Sequence, residues 1–218
     1  MEGISSFIDF VTSRVDAITT ATLEHLGYVI SVFIVGTAVA VSIGILVRNR
    51  PFAREVALGI TSVLLTIPSL GLFVMLIPVV GIGFWPPFIG LTLYSLLPIM
   101  RNTVAGLNGV DQAVLESARG MGLSGRQRLL KIELPMAWPV IITGVRISVL
   151  LISGIAAIAT LVGGGGLGRF INSGLGRLGL PGSMESVWTG TLLIIVIALL
   201  IDSVFLLIRR ATTSPGLR

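Results

Sequence analysis

Few residues in the chain can do covalent chemistry. Its 218 residues include no cysteine and a single histidine, His25. Thiolate chemistry, disulfides and cysteine or histidine metal clusters are therefore excluded. Gly163, Gly165 and Gly168 satisfy G-x-G-x-x-G. A dinucleotide turn also needs a preceding strand and a following helix in a βαβ unit. Here the glycines follow a long apolar run, so a flexible or tightly turning loop is expected instead. No G-x-x-x-x-G-K-[ST] occurs, so the chain lacks a phosphate-cradling P-loop. No catalytic residue, cofactor ligand or metal ligand is expected.

Two charges sit deep in apolar runs, Arg146 and Asp202. At a rise of 1.5 Å per residue, each lies roughly 10 Å inside its run. Lone charges at that depth are costly and seek partners, so the two are expected to pair, for structure rather than transport. Thr61, Ser62, Thr66 and Ser69 surround Pro68, which must remove a backbone hydrogen bond. Such a break is tolerated where it faces a cavity, and these five residues are candidates for a permeation path. A packing kink with back-bonded hydroxyls is the other reading.

The remaining chemistry is mechanical. A polar segment, about Arg101 to Trp138, separates two apolar runs. Asp111 can cap a short helix with Val114, Leu115 and Ala118 on its apolar face. Gly120 and Gly122 are expected to end it in a sharp turn. Ser124 can cap a second short helix, which Pro135 is expected to terminate. The result is a lever exposing Arg119, Arg126, Arg128 and Lys131. An ordinary basic loop is the plainer alternative.

The elements that hold this lever follow from composition. Hydrophobic residues make up 54% of the chain and charged residues 11%, with a mean hydropathy of +1.01. A soluble domain carries about 25% charged residues, so the solvent for most of this chain is lipid. Five stretches approach the roughly 20 apolar residues of a crossing helix. They run about Leu26 to Val47, Glu55 to Val80 with interruptions at Pro68 and Pro78, Pro86 to Met100, Pro139 to Val162, and Val187 to Ile208. Residues 1–25 read as an amphipathic surface helix, with Ile4, Phe7, Ile8, Val11, Val15 and Ile18 at helical spacing. They lack the basic start of a signal peptide.

The net charge of +5 and pI near 11.0 do not point to nucleic acid, because the basic residues collect at the ends of apolar runs. Arg48, Arg50 and Arg54, then the polar segment, then Arg209, Arg210 and Arg218 alternate as cytoplasmic signals should. Arg14, Arg169 and Arg177 fall on the other side. The N-terminus is therefore expected outside and the C-terminus in the cytoplasm. Trp85, Trp138 and Trp188 fall near span ends, as interfacial anchors do. No clustered aromatic cage for a quaternary ammonium group is apparent.

Glu116-Ser117-Ala118, then Gly122, Ile132 and Leu134-Pro135, resembles the EAA signature of binding-protein-dependent ABC importer permeases, with Ser117 in place of the middle alanine. Thr66-Ile-Pro-Ser69, Ile77-Pro-Val-Val-Gly-Ile-Gly83, Tyr94-Ser-Leu-Leu-Pro98, Arg101-Asn-Thr103, Gly163-Gly-Gly-Gly-Leu-Gly168 and Ser214-Pro-Gly-Leu217 are similar to the subgroup for glycine betaine, carnitine, choline and related osmoprotectants.

The resemblance implies an all-α, polytopic bundle of about five membrane helices with the type I importer (MetI-like) permease fold, in the bacterial cytoplasmic membrane. Residues 26–210 would form the permease domain, with the coupling loop at 101–138 and a tail at 211–218. Glu116, Ser117, Ala118, Gly122, Ile132, Leu134 and Pro135 would couple to a separate ATPase, with Glu116 making the polar contact and Gly122 the turn. Partners would be a second permease copy, two ATP-binding subunits holding ATP and Mg, and an extracytoplasmic substrate-binding protein that carries any aromatic cage. A permease for another small solute, such as an amino acid or a betaine-like thiol compound, remains open. So does a secondary transporter or a channel.

Overall fold

A computed structural model describes residues 2–212, with side chains from Ile4 onward. The Ser214–Leu217 resemblance, Arg218 and most of the expected 211–218 tail lie outside the described residues. The described residues are helical nearly throughout: α1 (Glu2–Thr12), α2 (Val15–Val47), α3 (Pro51–Thr66), α4 (Ser69–Val80), α5 (Trp85–Asn108), α6 (Gln112–Gly120), α7 (Gly125–Arg128), α8 (Leu134–Ile155), α9 (Gly168–Leu175) and α10 (Ser183–Thr212). A π turn (Leu129–Glu133) joins α7 to α8, and a 3-10 stretch (Ala156–Val162) extends α8.

Three continuous stretches are long and apolar enough to cross a membrane: α2, residues Gly125–Val162 and α10. The α3–α4 pair qualifies together. The expected third span is α5, 24 residues long, which falls outside this group. Thr92, Ser95, Asn102 and Thr103 lower its apolarity. It is wrapped by α2, α3, α4 and α8, so protein rather than lipid surrounds it. Leu91, Met100 and Thr103 have no exposed surface.

Close helix approach explains the glycine content. Gly36, Ala40 and Gly44 form a small-residue stripe on α2, and a Cβ on Gly36 would overlap Ser95 Oγ on α5. On α8, a Cβ at Gly144 would lie 2.7 Å from the Pro98 carbonyl oxygen. Small residues let membrane helices approach where no hydrophobic effect drives them together.

Two expectations change. The stretch Glu55 to Val80 is not one kinked span: α3 and α4 meet at 100°. Pro68 forces Ile67 into extended backbone, φ −66° and ψ 131°, so the helix cannot continue. Tyr94 Oη on α5 donates to the freed Ile67 carbonyl at 2.7 Å and fixes the bend. Pro78, by contrast, lies inside α4 without breaking it. The amphipathic segment also divides. It ends as α1 at Thr12, and Val15 and Ile18 already belong to α2.

Hydrogen bonds define two ends of the bundle. Arg48 meets Glu133, and Trp138 Nε1 donates to Thr212 Oγ1 at 2.7 Å, so the α2–α3 turn, the polar segment and the end of α10 lie together. At the opposite end, Glu24 accepts from Gly166 N–H at 2.8 Å and pairs with Arg169. There the Gly83 N–H also donates to the Val162 carbonyl at 3.0 Å.

Candidate coupling site

The polar segment folds as a capped elbow. Asp111 Oδ1 accepts from the Ala113 N–H at 2.9 Å and starts α6. Leu115 and Ala118 turn inward, while Glu116 and Ser117 are exposed. The C-terminus of α6 carries paired reverse bonds: Gly122 N–H to the Arg119 carbonyl at 2.9 Å, and Leu123 N–H to the Ala118 carbonyl at 3.1 Å. This is a Schellman end, which needs a left-handed residue. Gly122 supplies it at φ +79°. Gly120, expected to share that role, remains helical with ordinary φ.

Ser124 and Gln127 then form a reciprocal capping box for α7, at 2.9 and 3.3 Å. Pro135 does not terminate the second helix. It lies in the first turn of α8, and α7, the π turn and α8 run on without interruption. The π turn closes Leu134 N–H onto the Leu129 carbonyl, and this wider turn leaves room for the Pro135 ring.

The anchor of the elbow was not apparent from the sequence. Glu133, buried between Ile132 and Leu134 of the signature, accepts from Arg128 Nε at 3.0 Å and pairs with Arg48 Nε at 3.3 Å. Arg48 also donates to the Ile45 carbonyl at 2.9 Å, capping α2. Arg128 is therefore not one of the freely displayed cations. Arg119, Arg126 and Lys131 are exposed. The signal for Glu133 was an acid in an otherwise apolar run.

The other expected residues fall elsewhere. Arg146 grips Asp202 through two parallel bonds, Nε to Oδ1 at 2.5 Å and Nη2 to Oδ2 at 2.8 Å, tying α8 to α10. Thr61, Ser62, Thr66, Pro68 and Ser69 cluster at the α3–α4 bend, apart from the elbow. Thr61 is buried and bonds the Ala57 carbonyl at 2.9 Å, and Thr66 bonds the Val63 carbonyl at 2.7 Å. Both hydroxyls thus turn onto their own helix, while Pro68 is exposed.

An aromatic cluster does form. Tyr28 and Phe84 stack at 4.9 Å, Phe84 and Phe88 at 5.3 Å, and Trp85 meets both phenylalanines edge-on. The fold joins α2 to the start of α5, which sequence spacing could not reveal. Tyr28 and Phe84 also line a cavity of about 410 Å3 together with Glu24, Ser31 and Gly163.

An amphipathic elbow displaying Glu116 and Ser117 and anchored to the membrane bundle through Glu133 can transmit force from a contact on its exposed face to α2 and α8. Residues 33–214 match the family described as binding-protein-dependent transport system inner membrane component. The chain belongs to this family. Relatives of this permease span nearly its whole length. The choline transport system permease protein OpuBB of Bacillus subtilis (strain 168) is 34% identical over 97% of this chain and 95% of its own. The glycine betaine/carnitine/choline permease OpuCB of the same organism is 33% identical over 99% and 97%. The carnitine transport permease OpuCB of Listeria monocytogenes is 39% identical over 79% of each chain. Among solved structures, a chain of the inward-facing MetNI methionine ABC transporter aligns with a TM-score of 0.79 and 26% identity, covering 90% of this chain and 96% of that one. The permease is a multi-pass inner-membrane protein with the MetI-like fold.

Proposed function

We propose that this permease moves a small zwitterionic or quaternary-ammonium osmoprotectant, such as glycine betaine, choline or carnitine, into the cell in an ATP-driven importer. The observation that carries the substrate class is near full-length similarity to permeases named for choline, carnitine and glycine betaine. Five crossings, by α2, the bent α3–α4 pair, α5, α8 and α10, put the N-terminus outside and the elbow in the cytoplasm, in keeping with the basic clusters at the elbow end. Two permease copies form the path between them. Two ATP-binding subunits, which hold ATP and Mg, sit beneath, and a substrate-binding protein docks above.

In this reading α6 is the coupling helix. Glu116 and Ser117 face the ATPase, Ala118 seats α6, Gly122 makes the turn, and Ile132, Leu134 and Pro135 join the elbow to α8. ATP closes the two motor subunits. Each moves its elbow, and α8 with α10, locked by Arg146–Asp202, follows as one body. A ligand shifts an equilibrium only through differential affinity for its states, so the elbow contacts must differ between open and closed motors. The bend carrying Thr61, Ser62, Thr66, Pro68 and Ser69 lines the path.

The test is uptake into proteoliposomes by the permease assembled with its ATPase and binding protein. ATP-dependent accumulation of radiolabelled betaine, choline or carnitine supports the substrate class. ATP-dependent accumulation of an amino acid with none of these overturns it, and uptake without ATP overturns the importer.

A further inference from the structure

The three basic residues that defy the charge asymmetry, Arg14, Arg169 and Arg177, line one cavity of about 470 Å3 at the end of the bundle opposite the elbow. They come from the α1–α2 turn, α9 and the residues after α9, so folding gathers them. Arg14 lies 4.0 Å above the Phe10 ring, and Arg177 bonds Ser173 on its own segment. Neither has a carboxylate partner among the described residues, whereas Arg169 is held by Glu24. Asp16 is the one acid in the cavity wall, leaving an excess of positive charge.

Beside this cavity is a second one of different character. Ile4, Phe7, Met184, Trp188 and Leu192 line a groove of about 400 Å3 between α1 and α10. Its one acid, Glu185, is bonded to Ser6. The two cavities share their walls: Phe7 on α1 and Glu185 on α10 line the groove, while Phe10 and Ser186, on the same two helices, line the basic cavity. Ile4 and Ile8 on α1 are more than half exposed, at 70% and 52%. A basic, aromatic-walled pocket thus adjoins an apolar groove running down a membrane helix.

We infer that these two cavities form a site for an anionic phospholipid. The headgroup phosphate sits against Arg14 and Arg177 and an acyl chain lies along Trp188 and Leu192. Charge complementarity supports this, because Arg14 and Arg177 lack a carboxylate partner among the described residues and a headgroup phosphate supplies the anion. An acidic protein surface would use the arginines but leave the adjoining apolar groove empty. A phospholipid uses both. The site needs only membrane embedding, so it stands or falls apart from the substrate assignment.

Trp188 lies in the groove and can report on it. The test uses the full chain with Trp85→Phe and Trp138→Phe, so that Trp188 is the sole tryptophan, in phosphatidylcholine nanodiscs doped with brominated lipid. Brominated phosphatidylglycerol should quench Trp188 about twofold more than the same fraction of brominated phosphatidylcholine. Unlabelled phosphatidylglycerol should relieve the excess and phosphatidylcholine should not. The excess should vanish in Arg14→Gln/Arg177→Gln and persist in Arg14→Lys/Arg177→Lys. Equal quenching by the two lipids in the parent chain overturns the site, as does an excess that survives the glutamine variant. Inorganic phosphate at constant ionic strength should leave the excess unchanged. If it abolishes the excess, the pocket binds free anions and the lipid assignment is wrong.

Discussion

Glu133 anchors the elbow, because from the π turn it holds both Arg128 at the end of α7 and Arg48 at the end of α2. Removing one member of a buried ion pair strands the others. Glu133→Ala should therefore cost about 3 kcal/mol, the low end of that range, because both arginines keep partial contact with water. Thermal unfolding in detergent should show the loss, and the triple variant Arg48→Met/Arg128→Leu/Glu133→Leu, which strands no charge, should recover most of it. Arg146→Leu should likewise lower the melting temperature, and Arg146→Leu/Asp202→Leu should restore it, since lipid accepts two apolar residues more readily than one stranded charge. The Arg146–Asp202 pair was legible in the sequence, because opposite charges at matched depth have few other partners. Glu133 was not. A five-residue offset to Arg128 and a remote Arg48 give no local pattern until the π turn aligns them.

At the scale of elements, glycine and proline set the geometry. Gly122→Val places a β-branched residue at φ +79°, which costs about 1–2 kcal/mol or more and distorts the turn. ATP-dependent uptake should fall at least about tenfold, the equivalent of 1.4 kcal/mol in barrier, while membrane insertion stays intact. Normal uptake by a folded Gly122→Val chain would remove the turn from the mechanism. Gly144→Ala pushes a methyl against the Pro98 carbonyl and should destabilise the bundle by about 1–3 kcal/mol. Gly27→Ala on α2 meets nothing within 4 Å and should be neutral or slightly stabilising. Comparative melting of the two variants checks both. The capped helices of the elbow were readable from Asp111, Gly122 and Ser124, since capping is local. The 100° bend at Pro68 and the uninterrupted passage through Pro135 were not. A proline announces a lost hydrogen bond, and its neighbours decide whether the helix breaks. Tyr94 holds one site open, and a π turn absorbs the other.

For the whole molecule, the sequence conveyed a lipid-embedded helical body with one polar elbow, and the family match agrees with that reading. Burial of α5 was less visible. Its polar residues resemble those of a weak membrane span, whereas Ser95, Asn102 and Thr103 bond carbonyls of their own helix and pack against Gly36 and Gly44 of α2 and Gly144 of α8, contacts that only the folded bundle brings together. The aromatic cluster and the two cavities near Arg14 were hidden for the same reason. The claim on which the account depends is that α6 docks onto a separate ATPase. The chain contains no cysteine, so Ser117→Cys introduces a unique thiol on the exposed face of α6. Disulfide cross-linking to single cysteines on the ATP-binding subunit, in the assembled importer, measures the contact directly. The account predicts a permease–ATPase cross-link that blocks uptake and releases it on reduction. Labelling of the introduced thiol by a membrane-impermeant reagent added to intact cells, with no cross-link to the ATPase, would contradict it.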